Sequence, residues 1–484
     1  MQSFPKYLCG IFSLCLLLAA CSSAGPGGAG PAPLSALDVG QPEGWDADLQ
    51  LDIPEDLNPD PAIIEIELEA RVTDMEIIPG HMTPVWSYGG SLPGPLIRGR
   101  IGDRLIVHFK NSLPEATSIH WHGLRIGNDM DGVPGVTQDP IASGEEFTYD
   151  FVLTDAGTFW YHPHINSAAQ VGWGLYGPLV VEDPADPEVF GDELVLLLSD
   201  MSLDENGQFY PTDAGGAFSD LFGREGEVLL VNGKVMPRLK VRQGKQQRWR
   251  IINAARTRYY TIRYRGQSLL RLGGDNGLAE HSESVRQIIL VPGERTDLVF
   301  TPPDEPGTLS YLQWYPTERG YGSTFNRFAK KMMAIETVAA SPVAPAVIPE
   351  FLRTIEPINT EGAREEEIDL TIGYDRDDNV VMGINGMDGR HHNHINIEAR
   401  VGQTHIWHVT NDTDFSHPFH LHGYFFQVLD DSLVPEWKDT VDVPFKSEIR
   451  LAVKFDERPG TWMFHCHILD HAELGMMGLL RVGP

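Results

Sequence analysis

The chain has 484 residues, a length that suggests two to four domains rather than one compact unit. Its 42% hydrophobic share is that of a soluble globular protein, and 49 Gly and 35 Pro among short Val/Ile/Leu-rich runs lean towards all-β structure. A formal net charge of −31 excludes nucleic acid as a partner, favours solubility and pulls mildly on cations.

The first 21 residues read as targeting rather than fold. Lys6 supplies a positive start, and Ile11 to Ala20 form an apolar stretch too short to span a bilayer. The run Leu18-Ala19-Ala20-Cys21-Ser22 resembles a bacterial lipoprotein signal, which implies that Cys21 becomes the lipidated first residue of the mature chain. An ordinary secretory signal cleaved near the Ala pair is the alternative, and either one exports the protein. The expected location is the bacterial periplasm or outer membrane, with a lipid anchor at Cys21. Residues 22–60, rich in Gly, Pro, Ala, Ser and Asp, suit a flexible tether.

Beyond residue 60 no helix-period segment of useful length stands out, and short apolar or alternating runs predict strands. Ile63–Ala70, Arg104–Phe109 and Phe147–Leu153 fall in a first domain over 62–185. Leu194–Leu198, Gln287–Val291 and Asp297–Phe300 fall in a second over 190–338, and Glu367–Ile372 and Ile449–Phe455 in a third over 355–484. The breaks between them are Glu182-Asp183-Pro184-Ala185-Asp186-Pro187 and the Ala/Pro/Val stretch Ala339–Pro349. Each piece carries a Gly turn before a strand: Pro93-Gly94 with Gly102-Asp103, Asn232-Gly233 with Gly244-Lys245, and Asn385-Gly386 with Gly402-Gln403. The echo predicts three related β-sandwich domains.

Cys9, Cys15 and Cys21 lie in the leader, so Cys466 is the single thiol of the mature fold. It is either a buried small hydrophobe or a chemical participant. Its neighbours favour the second. Histidine is concentrated in His120-Trp121-His122, His162-Pro163-His164, His417-Pro418-Phe419-His420-Leu421-His422, and His465-Cys466-His467 followed by His471 and Met476. Isolated histidines such as His81 and His108 read as structural.

Imidazoles joined by a thiolate and a thioether point to copper. Side chains at i and i+2 of a strand share a face. His465 and His467 therefore project opposite to Cys466, and His420 and His422 project opposite to His417. His417, Cys466 and His471 form the trigonal set of a blue-copper centre, with a methionine as the long axial ligand. Met477 adjoins Met476, so spacing alone leaves the axial position open between them. The eight remaining histidines are too many for one ion and suit a cluster; zinc, which has no redox chemistry, would not explain the Cys-linked set.

The four motifs, in this order, resemble the multicopper oxidases of the laccase type over roughly residues 62–484. Supporting segments are Pro93-Gly94-Pro95-Leu96-Ile97, Gly157-Thr158-Phe159-Trp160-Tyr161-His162, Val291-Pro292-Gly293-Glu294-Arg295 and Lys438-Asp439-Thr440-Val441. The resemblance implies three cupredoxin-like domains, a monomer, and four Cu ions: type 1 on His417, Cys466, His471 and Met476, and type 2 on His120 and His420. It implies one type 3 ion on His122, His162 and His467, and the other on His164, His422 and His465. No ligand position is missing, unlike in relatives that have lost their coppers and serve structural or division-associated roles. The implied reaction is one-electron oxidation of a reducing substrate coupled to four-electron reduction of dioxygen to water. His465-Cys466-His467 links the two centres covalently.

Dioxygen reduction consumes protons, so carboxylates are expected beside the cluster. Asp131 stands where the family places one. Several bacterial relatives carry a glutamate directly after the last type 1 histidine, whereas here Ala472 follows His471, leaving Glu473 or Asp470 as substitutes. Asp439 is expected to orient His417 or a substrate. The chain has 13 Met but no Met-rich run of the copper-efflux kind, which favours a phenol or aromatic amine as substrate. The acidic balance also suits Cu(I), Fe(II) or Mn(II). His391-His392-Asn393-His394 reads as a solvated loop or an accessory metal site. A copper nitrite reductase would need far fewer histidines, and a non-catalytic copper-binding lipoprotein no Cys-linked cluster.

Overall fold

The computed structural model describes residues 49–186, 190, 192–211, 219, 221–264, 267–320, 328–341, 345–377, 379–390, 392, 394–430 and 434–484. Cys21 and most of the tether lie outside the described residues. From Leu49 onward the tether differs from expectation. Leu49 is buried and its carbonyl accepts from Asn232 Nδ2 at 2.9 Å, while the Asp52 carbonyl accepts from the Leu96 N–H at 2.7 Å. This stretch is therefore docked along the body.

Among the described residues, six sheets fall into three pairs. In the first pair one sheet runs in the order His81–Tyr88, Ile63–Ile78, Arg104–Asn111, Glu146–Val152, and the other Ile97–Arg100, Gly177–Glu182, Gly157–His162, His120–His122. The third pair repeats both orders and adds a fifth strand at the end of each, Phe426–Val428 and Thr440–Val443. Val380–Ile384, Arg364–Tyr374, Thr404–Asn411 and Ser447–Lys454 stand in one sheet, and Ile397–Arg400, Met477–Gly483, Gly460–Cys466 and His417–Leu421 in the other. The middle pair, over 192–338, has sheets of seven and five strands. In all three the opening strand pairs in parallel with one reached by a long connection: Ile63 with Arg104, Asp192 with Gln247, Arg364 with His405. These are three cupredoxin-like sandwiches.

Alternation builds them. Arg104–Asn111 and Thr404–Asn411 bury every second side chain, as a strand with one face on a core must. The first strand runs past its expected end at Ala70 to Ile78, because its second half pairs antiparallel with His81–Tyr88. The turn echo also shifts by a few residues. Asn232-Gly233 and Asn385-Gly386 both have positive φ at two successive positions, and their counterpart in the first sandwich is Gly89-Gly90, not Pro93-Gly94. Separate cores fill the sandwiches, and a fourth, including Val85, Leu92, Leu197 and Leu230, seals the first against the middle one.

Candidate metal centres

The histidine strands of the first and third sandwiches face each other. His120 pairs with His162 in one sheet and His420 with His465 in the other. Across the junction His120 stacks on His422 with centroids 3.9 Å apart, and His122 on His420 at 3.8 Å. His164 meets His465 Nε2 to Nε2 at 3.4 Å, and His467 lies 4.9 Å from His122 between centroids. All eight histidines of the four HxH pairs thus line one cage.

Six of the eight rings, all but those of His164 and His467, are turned by a hydrogen bond on the outer side. His120 Nδ1–H donates to the Asp131 carbonyl at 2.8 Å, His162 Nδ1–H to the Pro163 carbonyl at 2.9 Å, and His465 Nδ1–H to the Cys466 carbonyl at 2.9 Å. His420 Nδ1–H donates to the Asp439 carbonyl at 2.9 Å, and His422 Nδ1–H to Asp131 Oδ2 at 2.9 Å. His122 is reversed: its Nε2–H points to Asp439 Oδ1 at 3.2 Å. The other nitrogens face inward.

Those inner nitrogens test whether the cage fits a metal. His120 Nε2, His122 Nδ1, His162 Nε2, His420 Nε2 and His467 Nε2 are buried and find no hydrogen-bond partner among the described residues. His422 Nε2 faces His465 Nε2 at 3.1 Å, although both rings already spend their proton elsewhere. Burial, then the neighbouring imidazoles, holds His162, His164, His422 and His467 well below the usual histidine range, and His465 at about 3. Neutral rings with bare lone pairs converging at about the 3.0–3.4 Å that separates donors on one ion call for cations. Nitrogens of His164, His422 and His465 lie within 4.8 Å of one another, as do those of His120, His420 and His422 and of His120, His122 and His162.

A second set lies on the other face of the Gly460–Cys466 strand. His417 Nδ1 is 3.4 Å and His471 Nδ1 3.6 Å from Cys466 Sγ, and the two nitrogens are 3.1 Å apart. Thr413 Oγ1 accepts from His417 Nε2–H at 2.9 Å, and the Leu221 carbonyl from His471 Nε2–H at 3.1 Å, so both Nδ1 lone pairs point at the sulfur. Burial pushes the Cys466 thiol up, so a cation is needed to draw out the thiolate. Met476 is fully buried in the same core as Cys466, and its carbonyl accepts from the Cys466 N–H. Met477 pairs with His465 instead and belongs to the opposite face.

Gly132 is what lets Asp131 reach the cage. It has φ +80°, and a Cβ there would stand 1.8 Å from the Ile119 carbonyl. Asp439 lies not beside His417, as the sequence suggested, but beneath His122 and His420, because Thr440 continues the strand next to His417–Leu421. Glu473 accepts from the Ser167 N–H at 2.7 Å and its Oγ–H at 3.0 Å, which ties it to a helix of the first sandwich. Asp470 is enclosed by Arg224, Arg256 and Thr257.

The residue that sequence reasoning missed is Arg295 of the middle sandwich. Its guanidinium is fully buried and spends all five N–H groups: on Asp439 Oδ1 at 2.7 Å and Oδ2 at 2.6 Å, and on the carbonyls of Thr158, Gly293 and Asp275. Burial alone would raise the Asp439 carboxyl, but the Arg295 charge and fork hold it well below the usual range. The signal was present in Val291–Arg295: Gly293 has φ +88°, and a Cβ on it would come within 2.9 Å of His467 and 3.0 Å of His122.

Three sequence profiles described as multicopper oxidase match residues 70–186, 192–325 and 360–484. The chain belongs to the multicopper oxidase family. Multicopper oxidase MmcO of Mycobacterium tuberculosis is 31% identical over 441 residues, covering 82% of this chain and 83% of that one. The crystal structure of a multicopper oxidase from Pseudomonas thermotolerans is 34% identical with a TM-score of 0.77, covering 87% of this chain and 99% of that one. A multicopper oxidase from Campylobacter jejuni described as a metallo-oxidase is 30% identical with a TM-score of 0.79, covering 90% and 94%. The family binds copper, and its oxidases pair a reducing substrate with dioxygen.

Proposed function

We propose that the chain is a four-copper, laccase-like oxidase, exported and lipid-anchored at Cys21, that oxidises a small reducing substrate and reduces dioxygen to water. The observation that carries the reading is the pair of donor sets on opposite faces of one strand, joined by His465-Cys466-His467. His417, Cys466, His471 and Met476 suit a type 1 ion, and His120 with His420 a type 2 ion. His122, His162 and His467, and His164, His422 and His465, suit the two type 3 ions.

Bound copper supplies reversible one-electron chemistry. The chain supplies the rest. Cys466 gives the electron a covalent path from one face to the other through the two adjacent histidine backbones. The outer hydrogen bonds fix the tautomers of six of the eight cage rings, so those inner lone pairs are aimed before any metal arrives. Asp131, bonded to His422 and 3.3 Å from His120 Nδ1, is the carboxylate suited to hold and pass protons at the cage.

A phenol or aromatic amine is the first substrate reading. A metal-ion donor is a second, favoured by one feature: His417 and His471 are both fully buried, and the outer edge of His471 is capped by the Leu221 carbonyl. A bulky ring meets backbone there before it meets imidazole, whereas a small ion needs only a path for its electron. Copper analysis should give four ions per chain, with an intense blue band and a near-ultraviolet shoulder; colourless copper-loaded protein would end the oxidase reading. Oxygen uptake compared across a phenol, Cu(I), Fe(II) and Mn(II) separates the substrates.

A further inference from the structure

Apart from both centres, Met387, Asp388, His392, His394, Asn396 and Met477 line a cleft of about 10 Å³, room for one water-sized occupant. We propose that this cleft is a soft-cation site that takes one cuprous ion and stands at the outer wall of the histidine cage as its loading position. His391 and Asn393 of the same run lie outside the described residues, and the site does not need them.

The donor chemistry selects the ion. Two imidazoles and two flexible thioethers suit Cu(I), while hard cations seek several oxygens. The one carboxylate of the lining, Asp388, is engaged by Arg390 through Nε at 2.9 Å and Nη2 at 2.6 Å. The −31 net charge raises the local concentration of any cation.

Position gives the role. Met477 stands directly opposite His465 in the antiparallel pair, so it shares the cage-side face of that strand. His392 Cδ2 lies 3.8 Å from where a Cβ on Gly135 would be, in the loop that follows Asp131. Exposure falls inward: His394 is exposed, Met387 is 37% exposed, and His392 and Met477 are half-buried. His392 itself has φ +48°. The ion docks and leaves as Cu(I), so no electron or bond is exchanged at the site. Binding requires neither metal centre to be loaded, so the site goes beyond the oxidase reading.

The test uses Ag(I), a soft ion that cannot reduce the type 1 centre, titrated into the copper-loaded enzyme. One Ag(I) per chain is expected, with affinity weakened about tenfold or more in a Met387→Leu, His394→Ala variant. Both residues are at the surface, so the fold tolerates the change. Unchanged affinity overturns the site. The blue band, followed in the same titration, reports separately on the oxidase reading. The metal-free double variant, supplied with Cu(I) and then exposed to dioxygen as oxidant, should also regain the near-ultraviolet shoulder of the cage several-fold more slowly, to the same final amplitude; a wild-type rate overturns the loading role.

Discussion

Asp131 and Asp439 are both buried against the cage, yet their surroundings give them different work. Asp439 is clamped as an anion by Arg295 and fixes the tautomers of His122 and His420. Asp131 faces imidazoles, and no lysine or arginine pairs with it among the described residues. Asp131→Asn keeps an acceptor but removes the charge and the proton site. Turnover should fall about 10–100-fold at unchanged copper content, and wild-type turnover would contradict a proton role. Arg295→Met should leave Asp439 buried and unpaired, costing about 3–5 kcal/mol of stability in a denaturant melt. Arg295→Lys restores charge but not the fork, so it should recover much of the melt while the type 2 electron paramagnetic resonance signal stays altered. A native signal in Arg295→Lys would reduce Arg295 to a purely structural residue. Asp131 was legible through the family resemblance, which places an acid at that position. The role of Asp439 was not, because its partner stands 144 residues away in a sandwich that supplies no histidine to the cage.

At the scale of the element, the short helix Leu469–Glu473 decides whether His471 meets Cys466. Five residues give too few internal hydrogen bonds to hold a helix alone. Contacts with other domains hold it instead. Asp470 accepts from the Arg224 N–H at 3.0 Å, Arg256 Nε at 2.9 Å and Thr257 Oγ1 at 3.0 Å, and Glu473 accepts from Ser167. Asp470→Ala strands two arginines near a buried surface and loosens His471. The blue band should weaken or disappear while the cage histidines keep their copper; a full band with native melting would show that the helix is held by packing alone. The Gly460–Cys466 strand needs no such support. Its alternation follows from backbone geometry, which is why the two-faced reading of His465-Cys466-His467 could be made from the sequence. The choice between Met476 and Met477 could not, because it depends on where the helix ends and the last strand begins.

At the scale of the molecule, the first and third sandwiches are copies that present equivalent strands to each other, and the middle one braces them. The repeat was legible as Gly turns and strand spacing, but the way the domains pack was not, since ion pairs such as Arg295–Asp439 join distant segments. This assembly buries many imidazoles, which has a consequence for the metal-free protein. An unfolded histidine takes a proton below about pH 6.5, whereas burial holds His465 and His471 neutral to about 3. Between those values the unfolded chain binds more protons, so stability present above about pH 6.5 is lost as pH falls. Each such histidine adds a slope of up to about 1.4 kcal/mol per pH unit. Metal-free protein should therefore lose melting temperature in calorimetry as pH falls below about 6.5 towards about 3. Copper-loaded protein should lose it less, because a bound ion occupies the same lone pairs and binds only the folded cage. Equal slopes in the two forms would mean that the inner nitrogens do not hold the metal.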